Sequence, residues 1–138
     1  LGIAQGAFDE ALKYSQQREA FGQKVSEYQG IQWMLADMAI KLEAARWLLY
    51  RAAVNGSEGH PDLLEVSIAK TFANDMSLEV CNAAMQIHGG YGYCVEFPLE
   101  RAWRDARAYS FGAGTPQIQR NMIAQQLLRG RLDEIRNK

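Results

Sequence analysis

The chain has 138 residues, 48% of them hydrophobic, which is enough for one domain with a buried core. Fifteen basic and 16 acidic side chains leave a formal net charge of -1, so no broad field draws a nucleic-acid backbone or an anionic membrane surface, and neither is expected as a partner. No apolar run approaches the roughly 18 residues that span a bilayer, and Cys81 and Cys94 are too far apart for CxxC chemistry or a zinc cage, so both read as free thiols of a reducing compartment.

Leu1 already lies inside a helical pattern, with Ala4, Ala7, Phe8 and Ala11 on one face, so a preceding segment is expected. This first helix is predicted over residues 2–17. The Phe21-Gly22 step breaks it, and Ser26 is the expected N-cap of the next helix. That helix is long. Its apolar residues Ile31, Leu35, Met38, Leu42, Ala45, Leu49 and Ala52 alternate in steps of four and three, the spacing of a bundle seam. A glycine-rich polar turn over residues 55–60 closes it, and Pro61-Asp62 opens a third helix. Here Val66, Ala69, Ala73, Met76, Val80, Ala83 and Ile87 repeat the seam. Residues 89–92 stop the third helix, a short helix runs from about Pro98 to Tyr109, and Thr115-Pro116 starts the last one toward Arg136. Each of the three prolines is expected at a helix start, where a missing N–H costs nothing. With no strand or repeat in view, the prediction is an all-α antiparallel four-helix bundle with an extra short helix, a single domain over residues 1–138.

Three stretches carry more than packing. The first, Arg18-Glu19-Ala20-Phe21-Gly22-Gln23, follows a helix end. Arg18 could fork onto a pyrophosphate and Phe21 offer a flat surface to an adenine; equally, Arg18 could complement the helix dipole and Phe21 fill the core. In the second, residues 86–93, glycines bare the backbone and Gln86 adds an amide suited to a nucleotide rim. His88, in a last helical turn, fits a core-satisfied side chain as well as a functional one. The run follows no strand, so it is not a Rossmann phosphate loop. The third stretch, residues 112–120, is a small-residue loop feeding a helix capped by Thr115, with free N–H groups at its start.

Taken together, the REAFG run, the opening near Tyr28-Gln29, QIHGGYGY, ERAWRDAR and the GT-x-QIQR helix start resemble the acyl-CoA dehydrogenase family over essentially the whole chain. The resemblance implies the C-terminal four-helix bundle of a longer chain, with an N-terminal helical domain and a middle β-domain beside it. It implies FAD bound at a subunit interface, a homodimer or homotetramer, an acyl-CoA substrate and an electron-transfer flavoprotein as acceptor. By position, Arg18, Phe21, Tyr28 and Gln29 match FAD contacts. Gln86, Ile87, His88, Gly89 and Gly90 match the run that holds the ADP part of FAD from the neighbouring subunit. Thr115 and Gln117 match contacts at the start of the last helix, and Ala113 and Gly114 lie where the acyl thioester meets the flavin. The implied location is a bacterial or archaeal cytoplasm or the mitochondrial matrix, not outside the cell.

The family reaction removes a proton beside the thioester carbonyl and a hydride from the next carbon, so a carboxylate base must stand within reach. Many relatives place a glutamate in a YEGT loop; here the residues are Gly112-Ala113-Gly114-Thr115, and Ala113 abstracts nothing. The GAGT loop resembles the isovaleryl-CoA branch, where a glutamate about two turns before Leu1 would supply the base for a short or branched acyl chain. The other reading is a non-catalytic helical self-association module derived from the family. Within the chain, Arg101, Arg104 and Asp105 are expected to form a structural ion-pair set, Glu96 is a minor candidate base, and Trp33, Trp47 and Trp103 are expected in bundle or interface packing.

Overall fold

A computed structural model describes residues 1–56 and 60–133. The chain order is α1 (Gly2–Gln17), a hairpin of β1 (Glu19–Ala20) and β2 (Gln23–Lys24), a 3-10 turn (Val25–Glu27), α2 (Gln29–Val54), α3 (Leu63–His88), a second 3-10 turn (Gly89–Tyr93), α4 (Leu99–Tyr109) and α5 (Pro116–Leu128). The all-α bundle with an added short helix is the fold observed, and α3 is its axis, touching α1, α2, α4 and α5.

The periodicities explain the packing. Ala4, Ala7 and Ala11 let α1 approach closely, and they meet Met38, Leu42 and Ala45 of α2, Met76 and Val80 of α3, and Leu99 and Ala106 of α4 in one core. Each large side chain buried there contributes about 1.5–3 kcal/mol. The predicted seams are only partly buried: Ile31, Leu35 and Leu49 of α2, and Val66 and Ala83 of α3, are half-covered. Conversely Leu64, Cys81 and Ala84 of α3 are buried outside the predicted stripe. A helix surrounded by four neighbours buries more than one face, and a single spacing cannot describe it.

Local chemistry fixes the corners. The Asp62 carboxylate accepts from Leu64 N at 2.9 Å and Glu65 N at 3.2 Å, capping α3 as expected. The buried Glu65 accepts from Asn55 Nδ2 at 3.0 Å and lies 3.6 Å from Arg51 Nε, tying the end of α2 to the start of α3.

Several expectations are corrected. Ser26 does not cap α2; it sits in the 3-10 turn, and the N-cap is Tyr28, whose side chain makes no cap bond. A strand pair exists after all, because the turn at Phe21-Gly22 doubles the chain back on itself. Only Pro116 occupies the first turn of a helix; Pro98 is an N-cap, and Pro61 precedes one. α5 ends at Leu128, and Arg136 lies outside the described residues. Of the two places expected for Trp33, Trp47 and Trp103, bundle or interface, none of the three fills the bundle core, Trp103 being 38% exposed. Trp33 and Trp47 are 62% and 68% exposed, and with Ile40 and Val54 they recur every seven residues along the outer side of α2.

Candidate functional site

α1 is followed by its C-cap Arg18, whose extended backbone turns the chain into β1. Glu19 and Ala20 pair with Lys24 and Gln23, leaving Phe21 and Gly22 as turn residues at φ 53° and 85°. Positive φ at both central residues matches the twist of a tight hairpin. Gly22 takes it freely; Phe21 takes it at a cost of about 1–2 kcal/mol. The Phe21 side chain is 100% exposed, which removes the core reading for it. Tyr28 braces the hairpin, its hydroxyl donating to Ala20 O at 2.8 Å, and Gln29 begins α2 beside it.

The second stretch meets this corner. Gln86 is exposed and Ile87 is in the core, while the His88 ring is buried, stacked on Tyr14 at 4.0 Å. His88 Nδ1 lies 3.0 Å from Ala84 O; a carbonyl only accepts, so Nδ1 carries the proton. Burial holds the imidazole pKa below its usual 6.5. The core-satisfied description therefore fits His88. Gly89, at φ 59°, and Gly90 have nothing within 4 Å of where a side chain would project. Gly92 is the opposite case: a Cβ there would lie 2.6 Å from Met85 O, so glycine is what lets the turn close onto α3. Between the two stretches lies a cleft of about 510 Å³, bounded by Arg18, Gln86, His88, Gly89, Gly90 and Tyr91 among others. The Arg18 guanidinium stands 5.6 Å over the Tyr91 ring, a cation–π contact that holds it at the cleft edge.

The third stretch is elsewhere. Ala113 and Gly114 have φ of 51° and 105°, and Lys70 of α3 donates from Nζ to Gly112 O at 2.7 Å and to Ala113 O. Thr115 Oγ1 accepts from Ile118 N at 3.4 Å as the α5 cap, and Gln117 is exposed in the first turn. Lys70 precedes Gln86 by 16 residues of one helix, which places this loop about 24 Å along α3 from the cleft at ~1.5 Å per residue. Thus the structure joins the first two stretches and separates the third.

The expected ion-pair set is also corrected. Arg104 pairs with Glu100, one turn back, through bonds of 2.7 and 3.0 Å. Asp105 follows Arg104 directly and so points to a different face of α4. Glu96 is exposed in the turn before α4. Among the described residues no cluster of three or more His, Cys, Asp or Glu could hold a metal. Cys81 is buried and Cys94 exposed, both as free thiols, and Cys94 borders the cleft. Tyr14, which stacks on His88, and Lys70 were not singled out from the sequence. Tyr14 could have been, since it precedes Arg18 by four residues and so shares its face. Lys70 carried no local signal, its partners being 42 and 43 residues away.

A family model described as acyl-CoA dehydrogenase, C-terminal domain, matches residues 1–128. The chain belongs to the acyl-CoA dehydrogenase family. This acyl-CoA dehydrogenase C-terminal domain is 50% identical over 137 residues to a 3-sulfinopropanoyl-CoA desulfinase of Paraburkholderia xenovorans, covering 99% of this chain and 35% of that protein. It is 45% identical over 129 residues to a subunit of the caffeyl-CoA reductase-Etf complex of Acetobacterium woodii, covering 94% and 34%. It is also similar to the structure of butyryl-CoA dehydrogenase from Megasphaera elsdenii, with a TM-score of 0.89 and 42% identity over 93% of this chain and 33% of that one. The chain spans about a third of the length of these relatives. The resemblance carried by the REAFG, QIHGGYGY and GT-x-QIQR runs is borne out at the level of the family.

Proposed function

We propose that the chain is the FAD-binding and subunit-pairing part of an acyl-CoA dehydrogenase that converts a short or branched acyl-CoA to its 2-enoyl-CoA. The observation that carries this is the cleft where Arg18 meets residues 86–90, together with a Phe21 ring, three residues on in the hairpin turn, held wholly in solvent at an unfavourable φ. A phenylalanine so placed gains nothing from this chain, and its flat face suits an adenine brought by a bound dinucleotide. Fit to FAD rests on three features. The space above Gly89 and Gly90 is open, Arg18 supplies a fork for a pyrophosphate, and Gln86 supplies a polar amide at the rim. Tyr28 and Gln29 flank the hairpin, and Thr115 and Gln117 would meet the cofactor at the other loop. When bound, FAD supplies the hydride acceptor.

The cleft and the 112–115 loop lie too far apart for one cofactor reactive centre to use both within a single chain. A homodimer or homotetramer, in which one subunit's 86–90 run meets its neighbour's loop, fits that separation. The exposed α2 stripe of Trp33, Ile40, Trp47 and Val54 offers apolar area for such an assembly. An electron-transfer flavoprotein is the proposed acceptor, a choice supported by the relative named as a subunit of an Etf complex. No helix among the described residues is long and apolar enough to cross a membrane. A bacterial or archaeal cytoplasm or a mitochondrial matrix is the proposed location.

Ala113 offers no carboxylate, so the base is proposed to be a glutamate in the segment preceding Leu1, as in the isovaleryl-CoA branch. The same alanine, with 50% identity to a desulfinase, favours a second reading: an acyl-CoA enzyme that removes a sulfinate group rather than dehydrogenating. One experiment separates them. The full-length parent is purified with its flavin and given isovaleryl-CoA, butyryl-CoA and 3-sulfinopropanoyl-CoA, while dye reduction and sulfite release are followed. Dye reduction with the acyl-CoAs supports dehydrogenation; sulfite release alone overturns it in favour of the second reading. A colourless, inert and oligomeric parent defeats both and leaves the self-association module.

A further inference from the structure

We infer that Lys70 is a positioning residue that turns the amides of Ala113 and Gly114 outward as a pair of donors for a substrate carbonyl; this rests on the acyl-CoA reading above. Lys70 stands half-buried on α3 and donates to two consecutive carbonyls, Gly112 O and Ala113 O. In a trans peptide plane the C=O and the following N–H point in opposite directions. Drawing the Gly112 carbonyl onto Lys70 therefore turns the Ala113 N–H away from the bundle, and drawing the Ala113 carbonyl inward does the same to the Gly114 N–H. Among the described residues neither amide has an acceptor.

The arrangement is costly. Ala113 sits at φ 51°, which disfavours a side chain by about 1–2 kcal/mol. Two adjacent carbonyl oxygens brought to one point repel each other unless a cation lies between them. Nothing in the fold requires it, because Thr115 caps α5 through Ile118 N without help from the loop. Gln119 adds a second hold, donating to Ala113 O at 3.4 Å, and its Nε2 would lie 2.7 Å from any Cβ at position 114. What the clamp delivers is two preset N–H groups at the loop proposed to meet the thioester. Such donors stabilise a carbonyl oxygen as it gains charge when the neighbouring carbon loses its proton.

The test uses the full-length, flavin-loaded parent with Lys70→Met and Lys70→Arg; Lys70→Gln replaces the methionine variant if that does not fold. Binding of crotonyl-CoA, which has the thioester carbonyl, is compared by calorimetry with binding of S-butyl-CoA, a thioether that lacks it. Loss of Lys70 is expected to weaken crotonyl-CoA by about tenfold or more, the scale of one well-made hydrogen bond. The thioether should stay within about twofold, and Lys70→Arg should recover most of the difference. Equal losses for both ligands, or none for either, would overturn the assignment. A wild-type parent that binds neither CoA derivative defeats the acyl-CoA reading itself. Lys70 is then judged by hydrogen exchange at the Ala113 and Gly114 amides, and rates unchanged in the variant would sink its role as a clamp.

Discussion

Gly92→Ala is the sharpest perturbation of the cleft, because the new methyl group would meet main chain. Its Cβ would lie 2.6 Å from Met85 O, 2.9 Å from Met85 Cα and 3.1 Å from Met85 C. Ordinary contact begins near 3.4 Å, so the 3-10 turn must lift from α3 by about 0.8 Å, and a helical backbone cannot rotate aside. Overpacking of this kind costs about 2–3 kcal/mol. For a chain of this size that corresponds to a fall of about 8–12 °C in thermal midpoint, read by circular dichroism. Gly90→Ala is the control. A Cβ at Gly90 meets nothing within 4 Å, so its midpoint should move by no more than about 2 °C. A Gly92→Ala protein melting as Gly90→Ala does would refute the close-approach account of the turn.

Further expectations concern the same corner. Phe21→Ala should leave stability within about 0.5 kcal/mol, since the ring touches solvent only, yet strip FAD from the parent on gel filtration; retained flavin would count against the adenine contact. Burial lowers the His88 pKa in the folded chain, so below the ordinary 6.5 the unfolded state takes up the proton first. Stability is therefore full above pH 6.5 and falls as the pH drops toward the folded value. His88→Gln should flatten that part of a midpoint-versus-pH curve taken from about pH 8 to about pH 5, and an unchanged slope would contradict it. Burial also pushes the Cys81 thiol up to about 11. Iodoacetamide at neutral pH should thus label Cys94 alone by mass spectrometry, and Cys81 only after denaturation.

Helix boundaries were legible because their signals are local. Asp62 and Thr115 announce their helices by their own chemistry, and the 86–93 run ends α3 through its glycines. Ser26 failed as a cap because the hairpin, braced by Tyr28, carries the chain two residues further before it turns helical. The fate of Phe21 was undecidable from sequence, as both readings accept an aromatic after a helix; only the sign of its φ and its exposure separate them. The Lys70 clamp depends on a contact across more than 40 residues, which no spacing rule reaches.

The axial helix α3 carries the clamp lysine near one end and the glycine run at the other, on one uninterrupted rod. Inserting a single residue between positions 70 and 86 would advance the far end by about 1.5 Å and swing it through about 100°. That swing would turn the 86–90 run away from Arg18 while leaving every local motif intact. Relatives sharing this chemistry should therefore tolerate substitution within that interval far more readily than any change in its length, so that α3 acts as the domain's ruler.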